Sequence, residues 1–208
     1  MARGKTILFI DNSNVFHGCK AAGWRIDGKK LHEFLETDGE IWQGFFFASV
    51  TDPPRYQQTN FYRFIKNVLR YEVLLYKLGQ KTVRCRNCGD ARTVLVEKGV
   101  DVGLATRLLI LANNRAFDTA ILVAADKDYL ETVRSVKLNG LRVEIVAWRG
   151  SISQDMVTES SRPIVYFNDI RNEIELTAPP DHEADALTTG EEEQAQPVAG
   201  YSSDGADG

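Results

Sequence analysis

The chain has 208 residues, 43% of them hydrophobic, enough to bury one sizeable core, so a folded domain with or without a tail is expected. Its first apolar run, Ile7 to Ile10, is far too short to span a bilayer and stops at Asp11, which excludes a signal peptide or membrane anchor there and makes a cytoplasmic location the expectation. The formal net charge of −4 is modest, and three cysteines (Cys19, Cys85, Cys88) are too few and odd in number for a disulfide framework, in keeping with a reducing compartment.

In chain order, Lys5 to Ile10 reads as a short strand buried on both faces, because its apolar run is continuous and ends in the turn-prone DNSN. Val15 to Ala22 is predicted helical with Gly23 as its stop, and Gly28 to Glu36 as a short amphipathic helix. Ile41 to Val50, aromatic and branched, is a second strand ended by Asp52-Pro53-Pro54; Arg55 to Arg70 is a helix and Tyr71 to Lys77 a third strand. Two branched runs within Lys81 to Glu97, on either side of CRNCGDA, predict a β-hairpin inserted near the CxxC. Val100 to Arg115 is predicted helical with Val102, Ala105, Leu108, Leu109 and Ala112 on one face. Ala120 to Ala125 is a second fully apolar strand, followed by a helix (Tyr129 to Leu138) stopped at Asn139-Gly140, then a strand (Arg142 to Trp148). A last strand, Ile164 to Phe167, and a short helix, Asn168 to Glu175, close the body. This alternation is the pattern of a doubly wound α/β fold with a mostly parallel central sheet flanked by helices.

Residues 1–176 are thus expected to form the domain and residues 177–208 a disordered acidic tail, since the tail has few large apolar side chains to offset its ordering entropy. The tail holds eight Asp or Glu and no Lys or Arg. Taking those eight from the 29 acids leaves 21 against 25 basic residues, so the body carries a net +4. Such a body has room for a polyanionic substrate, although a basic body with an acidic tail is also an ordinary route to solubility.

The candidate chemistry lies where strands end. Asp11 and Asn14 follow the first strand, Asp101 sits in the first turn of the predicted helix from Val100, and Asp126 and Asp128 follow the second apolar strand. Ligands in open α/β sheets bind outside the carboxyl ends of the strands, so these residues can converge despite their separation. Each has a plain alternative: Asp11 as a turn residue or helix cap, Asn14 and Asp128 as caps, Asp101 as a complement to the helix dipole. A cluster of carboxylates without thiol or imidazole suits a hard cation, Mg²⁺ or Mn²⁺, and would repel itself unless a cation or Lys127 neutralised it.

The segments ILFIDNSNVFHG, KGVDVGLATRLLILANNRAFDTAILVAADKDYLETVRSVKLNGLRVEIVAW and PIVYFNDI resemble the NYN domain, in its LabA-like branch, of the PIN-like nuclease superfamily; the resemblance runs from about Ile7 to Ile170. It implies a PIN-like (Rossmann-like) three-layer sandwich. It matches Asp11, Asp101, Asp126 and Asp128 to the acidic catalytic and metal-binding positions, and Asn14 to the polar partner of the first. Where the family often has Ser-Gly-Asp-x-Asp-Phe, this chain has Ala124-Ala125-Asp126-Lys127-Asp128-Tyr129. The implied activity is that of a metal-dependent endoribonuclease, using one or two Mg²⁺ or Mn²⁺ ions to hydrolyse phosphodiester bonds and leave 5′-phosphate and 3′-hydroxyl ends. Single-stranded RNA is the implied partner.

Arg55, Arg63, Lys66 and Arg70 fall at helical intervals and are candidates to follow phosphates, with Tyr56 and Tyr62 to stack on bases; an ordinary solvated face is the alternative. Lys98, beside Asp101, and Lys127 are further candidate phosphate contacts, and His17 is more simply a packed or surface residue. The Cys85–Cys88 pair lacks a second pair to complete zinc coordination, so a tight turn is its default reading; zinc shared across a homodimer is another. Two other functions fit parts of the sequence. A haloacid-dehalogenase-like phosphatase would use Asp11 as nucleophile but has Ser13 where its general acid belongs; a non-catalytic RNA-binding or regulatory module would keep the fold alone.

Overall fold

A computed structural model describes residues 3–84 and 88–177. The expected tail, apart from Thr177, and Cys85 of the CxxC pair lie outside the described residues. Six strands form the central sheet: β1 (Thr6–Asp11), β2 (Ile41–Val50), β3 (Glu72–Lys77), β6 (Thr119–Val123), β7 (Arg142–Ala147) and β8 (Val165–Tyr166). Their order is β3-β2-β1-β6-β7-β8, and every pairing is parallel. The first three strands are laid down outward from β1 in one direction and the last three in the other. The sheet therefore has a topological switch point between β1 and β6, the place where parallel α/β sheets open a crevice at their carboxyl edge.

The helices obey the same division. α1 (Asn12–Ala22), α2 (Gly28–Leu35) and α3 (Tyr56–Asn67) cover one face, where Leu8 and Ile10 of β1 meet Val15, Leu31, Leu35 and Phe61. α4 (Val100–Asn113) and α5 (Leu130–Leu138) cover the other, where Ile7 and Phe9 meet Leu104, Leu108, Val133 and Val136. Because side chains alternate along a strand, a strand covered on both faces is apolar through its middle, as Ile7 to Ile10 are; all six residues of β1 are buried, with polar Thr6 and Asp11 only at its ends. Each such fully buried Leu, Ile or Phe contributes about 1.5–3 kcal/mol. The three-layer arrangement expected from the sequence is the one observed.

Two local features differ from expectation, while the expected hairpin is present. α4 buries Val100, Leu104, Leu108 and Ala112, an i, i+4 ladder, whereas Val102 is 70% exposed. The segment VGLATRLLILA is so uniformly apolar that its periodicity does not choose a face; contact with the sheet does. The short helix α6 (Gln154–Glu159) has no counterpart in the sequence reading, although Ser153 caps it by accepting from the amide of Met156. The inserted hairpin, β4 (Gly79–Arg84) with antiparallel β5 (Ala91–Val96), forms a two-stranded sheet of its own. α7 (Arg171–Ile174) ends the described chain, and the neighbouring Glu175 bridges to Ile26.

Candidate active site at the carboxyl edge of the sheet

Asp11 is the last residue of β1 and also the N-cap of α1. The helix begins at Asn12 rather than Val15, and Asp11, not Asn14, is its cap. The cap and ligand readings of Asp11 are therefore not exclusive. One carboxylate oxygen accepts from the Ser13 amide (3.0 Å), the Ser13 hydroxyl (2.7 Å) and the Asn14 amide (3.3 Å). The other accepts from Asn14 Nδ2 (3.0 Å) and from the Tyr129 hydroxyl (3.0 Å). With Asp11 1% exposed, these donors satisfy both of its carboxyl oxygens in the place of water.

Asn14 spans the switch point. While its amide nitrogen donates to Asp11, its Oδ1 accepts from the backbone of Ala125 (3.1 Å), just past the end of β6. The chain then turns through Asp126, which caps a single 3₁₀ turn over Lys127–Tyr129 by accepting from the Asp128 amide at 2.9 Å. Asp126 is the cap of this turn, and Asp128 is not. Tyr129, 1% exposed, buries its ring in the core beneath α4 and α5 and directs its hydroxyl upward between two carboxylates, Asp11 and Asp101. Asp101, in the first turn of α4, accepts at 3.1 Å.

A phenol has one proton and donates to one carboxylate at a time, so the other meets an oxygen lone pair. Asp101 is shifted by its burial and its charged neighbours. Desolvation pushes its carboxyl above the usual range, with repulsion from Asp11, Asp126 and Asp128 adding to it and the Tyr129 hydrogen bond opposing it. Burial and the same two carboxylates push the Tyr129 phenol far above its ordinary value, so it is a neutral donor.

Asp11, Asn14, Asp101 and Asp126 line one open cleft of about 630 Å³, the convergence expected from the sequence. Asp128 is exposed, lines neither cleft, and acts on Asp101 through its field. Lys127 lines a smaller adjoining cleft of about 320 Å³ with Asp126, Ser151 and Ser153. Lys98 is exposed at the return of the hairpin, one residue after Glu97, which lines the main cleft. Arg55, the N-cap of α3, and Arg63 within it are not among the residues lining either cleft; Tyr62 is buried, donates to the Ser49 carbonyl, and has no face free for a base.

The main cleft is also lined by His17, Trp148, Arg149 and Asn168, of which only His17 was weighed in the sequence reading. Arg149 lies two residues past β7 and Asn168 two residues past β8, so the strand-end rule that singles out Asp11 also reaches them. Arg149 grips Asp169 with two guanidinium nitrogens, one at 3.0 Å, and lies 4.3 Å over the Tyr166 ring. Its guanidinium is thereby held in place in the lining of the cleft that Asp11, Asp101 and Asp126 also line.

The donors on the carboxylate wall are hard oxygens, the chemistry that suits Mg²⁺ or Mn²⁺. Among the described residues no three His, Cys, Asp or Glu side chains already stand in a coordinating arrangement, and the Tyr129 hydroxyl takes one oxygen each of Asp11 and Asp101. The fit is one of donor type and of uncompensated negative charge.

The family model for the NYN domain matches residues 5–167. Comparison with curated proteins finds no match. Among solved structures, the chain is similar to a protein of unknown function from Vibrio parahaemolyticus, with 19% identity, a TM-score of 0.64, and coverage of 84% of this chain and 98% of that one. That likeness concerns the fold alone.

Proposed function

The chain belongs to the NYN domain family, a branch of the PIN-like nucleases, and from that premise we propose that residues 1–176 form a metal-dependent endoribonuclease acting on single-stranded RNA. The observation that carries the reading is the meeting of Asp11, Asp101 and Asp126 in one cleft at the switch point of a parallel sheet. Asp11, Asp101 and Asp126 would hold the cation, with Asp128 adding to the field. A bound Mg²⁺ or Mn²⁺ would supply charge to polarise the scissile phosphodiester and to acidify an attacking water.

The chain's own residues supply position and charge. Asn14 and Ser13 fix the Asp11 carboxylate, and Asn14 also fixes the loop that carries Asp126. The Tyr129 hydroxyl keeps Asp11 and Asp101 facing each other. Arg149, lining the main cleft, and Lys127, lining the adjoining one, offer positive charge to a bound phosphate. The openness of the cleft suits an unstacked strand better than a duplex. The phosphatase reading loses support, because the Ser13 hydroxyl is spent on Asp11 and offers no general acid at that position. No helix among the described residues is long and apolar enough to cross a membrane.

The test is cleavage of labelled single-stranded RNA with Mg²⁺ or Mn²⁺, comparing the native chain with Asp126→Asn. Loss of at least about 100-fold in rate is expected, the scale seen when one stabilising group is removed from a charged transition state. Binding without cleavage by the native chain would favour the non-catalytic RNA-binding module instead.

A further inference from the structure

Resting on the nuclease reading, we propose that the β4–β5 hairpin is an arm that binds a single-stranded nucleic acid outside the carboxylate cleft. The hairpin leaves the sheet just after β3 ends at Lys77 and returns through Glu97, which lines the cleft, into α4, whose first turn carries Asp101. It therefore rises from the rim where the carboxylates meet. A two-stranded hairpin alone in water is marginal at best, and this one makes its own small sheet with Val83 and Leu95 roughly half exposed.

Charge identifies the occupant. Residues 79–98 contain five basic and two acidic side chains, a net of +3 out of the body's +4. Among the described residues, no hydrogen bond or ion pair engages the side chains of Lys81, Arg84, Arg92 or Lys98. Cations elsewhere are commonly paired, as Lys77 is with Asp52, Arg107 with Glu72, Arg134 with Glu131 and Arg149 with Asp169. A cleft lined by Asp11, Asp101 and Asp126 repels a phosphate chain, and its Arg149 is already paired with Asp169, so cations outside the cleft add attraction that helps retain a polyanion. Unpaired arginines and lysines on a projecting ribbon supply that attraction without neutralising the cleft acids. By the strand register Val83 shares one face of the ribbon with Lys81 and Arg92, and Leu95 shares the other with Arg84, so each face sets exposed apolar surface beside a cation.

The test is a Lys81→Gln/Arg84→Gln/Arg92→Gln variant, which touches no residue assigned to the cleft. In an Asp126→Asn background, anisotropy of a fluorescein-labelled oligouridine across a salt series should show the slope of log K against log salt falling by about 2, from the loss of roughly 0.7 per phosphate contact. With Asp126 intact, the arm variant should hydrolyse bis(p-nitrophenyl) phosphate at the native rate while its KM for RNA rises. An Arg84→Lys/Arg92→Lys variant should keep the native slope, and matching melting curves would show that all variants fold. An unchanged salt slope and RNA KM in the triple variant would overturn the arm. If the slope falls but the native chain hydrolyses neither RNA nor the small diester, the arm stands and the nuclease reading falls.

Discussion

The Tyr129 hydroxyl donates to Asp11 Oδ2 at 3.0 Å, joining residues 118 positions apart, and the same oxygen lies 3.1 Å from Asp101. The Asp11 carboxylate is nearly inaccessible to water, so losing this donor is costly. Tyr129→Phe keeps the ring in the core and removes only the hydroxyl. Unfolding in urea should show a loss of about 1.5–3 kcal/mol, the value of a hydrogen bond to a charged group. Added Mn²⁺ should stabilise the Phe variant more than the native chain, because two carboxylate oxygens are no longer shared with the phenol.

Asp101 titrates above its ordinary value of 3.8, chiefly through desolvation, with repulsion from Asp11, Asp126 and Asp128. A carboxyl whose folded pKa is raised binds its proton more tightly when folded. Its contribution is then most favourable below the unfolded pKa and is lost as pH rises through the folded value. Asp101→Asn removes that penalty. The variant should be more stable than the native chain at pH 7, with the advantage shrinking toward pH 4, while RNA cleavage falls. Urea melts at the two pH values check the sign; an advantage independent of pH would show that the ionised Asp101 carboxylate, through its burial and its charged neighbours, is not its source.

The sequence displays what depends on position along the strands, and hides what depends on contact. Asp11 and Asp126 were legible because apolar runs buried on both faces of a parallel sheet leave a polar residue at the exit, as ILFI leaves Asp11. Asp101 was legible as an acid in a helical first turn. That Asn14 would span from Asp11 to Ala125 was not, since its two hydrogen bonds depend on the β1–β6 spacing. Nor was the role of Tyr129, which by periodicity is simply core. Arg55 and Arg63 were selected by helical spacing, but spacing fixes which residues share a face and not where that face points.

Gly18 of α1 allows the helix to approach Trp148 at the wall of the main cleft, since a Cβ there would collide with the indole nitrogen. Gly18→Ala improves helix propensity by up to about 1 kcal/mol, whereas overpacking costs about 1–3 kcal/mol. The net expectation is destabilisation, and a cleft altered where His17 and Trp148 face it. Thermal melting and RNA cleavage of the variant should both decline; a gain in melting temperature would mean that Trp148 moves aside freely.

Away from the cleft, Arg3 precedes β1 and is 5% exposed, with its guanidinium on Glu144 of β7 at 2.9 Å and on the Leu35 carbonyl. Arg162 approaches the other Glu144 oxygen at 3.3 Å. A buried ion pair gains little over an apolar replacement, because desolvation offsets most of its attraction. Removing one partner alone is different, for it leaves a buried charge unmatched, typically at a cost of about 3–5 kcal/mol. Arg3→Ala should therefore lower stability by about that amount, less whatever Arg162 recovers by moving onto Glu144. Arg3 lies at the amino end of β1 and the candidate active site at the carboxyl end, so cleavage per folded molecule should be unchanged at low temperature. Arg3→Ala/Glu144→Leu should recover much of the lost stability, since it removes the unmatched charge and fills its space with apolar volume. If the double variant is no more stable than Arg3→Ala, the loss comes from the Leu35 and Asp38 contacts of Arg3 and not from a stranded Glu144.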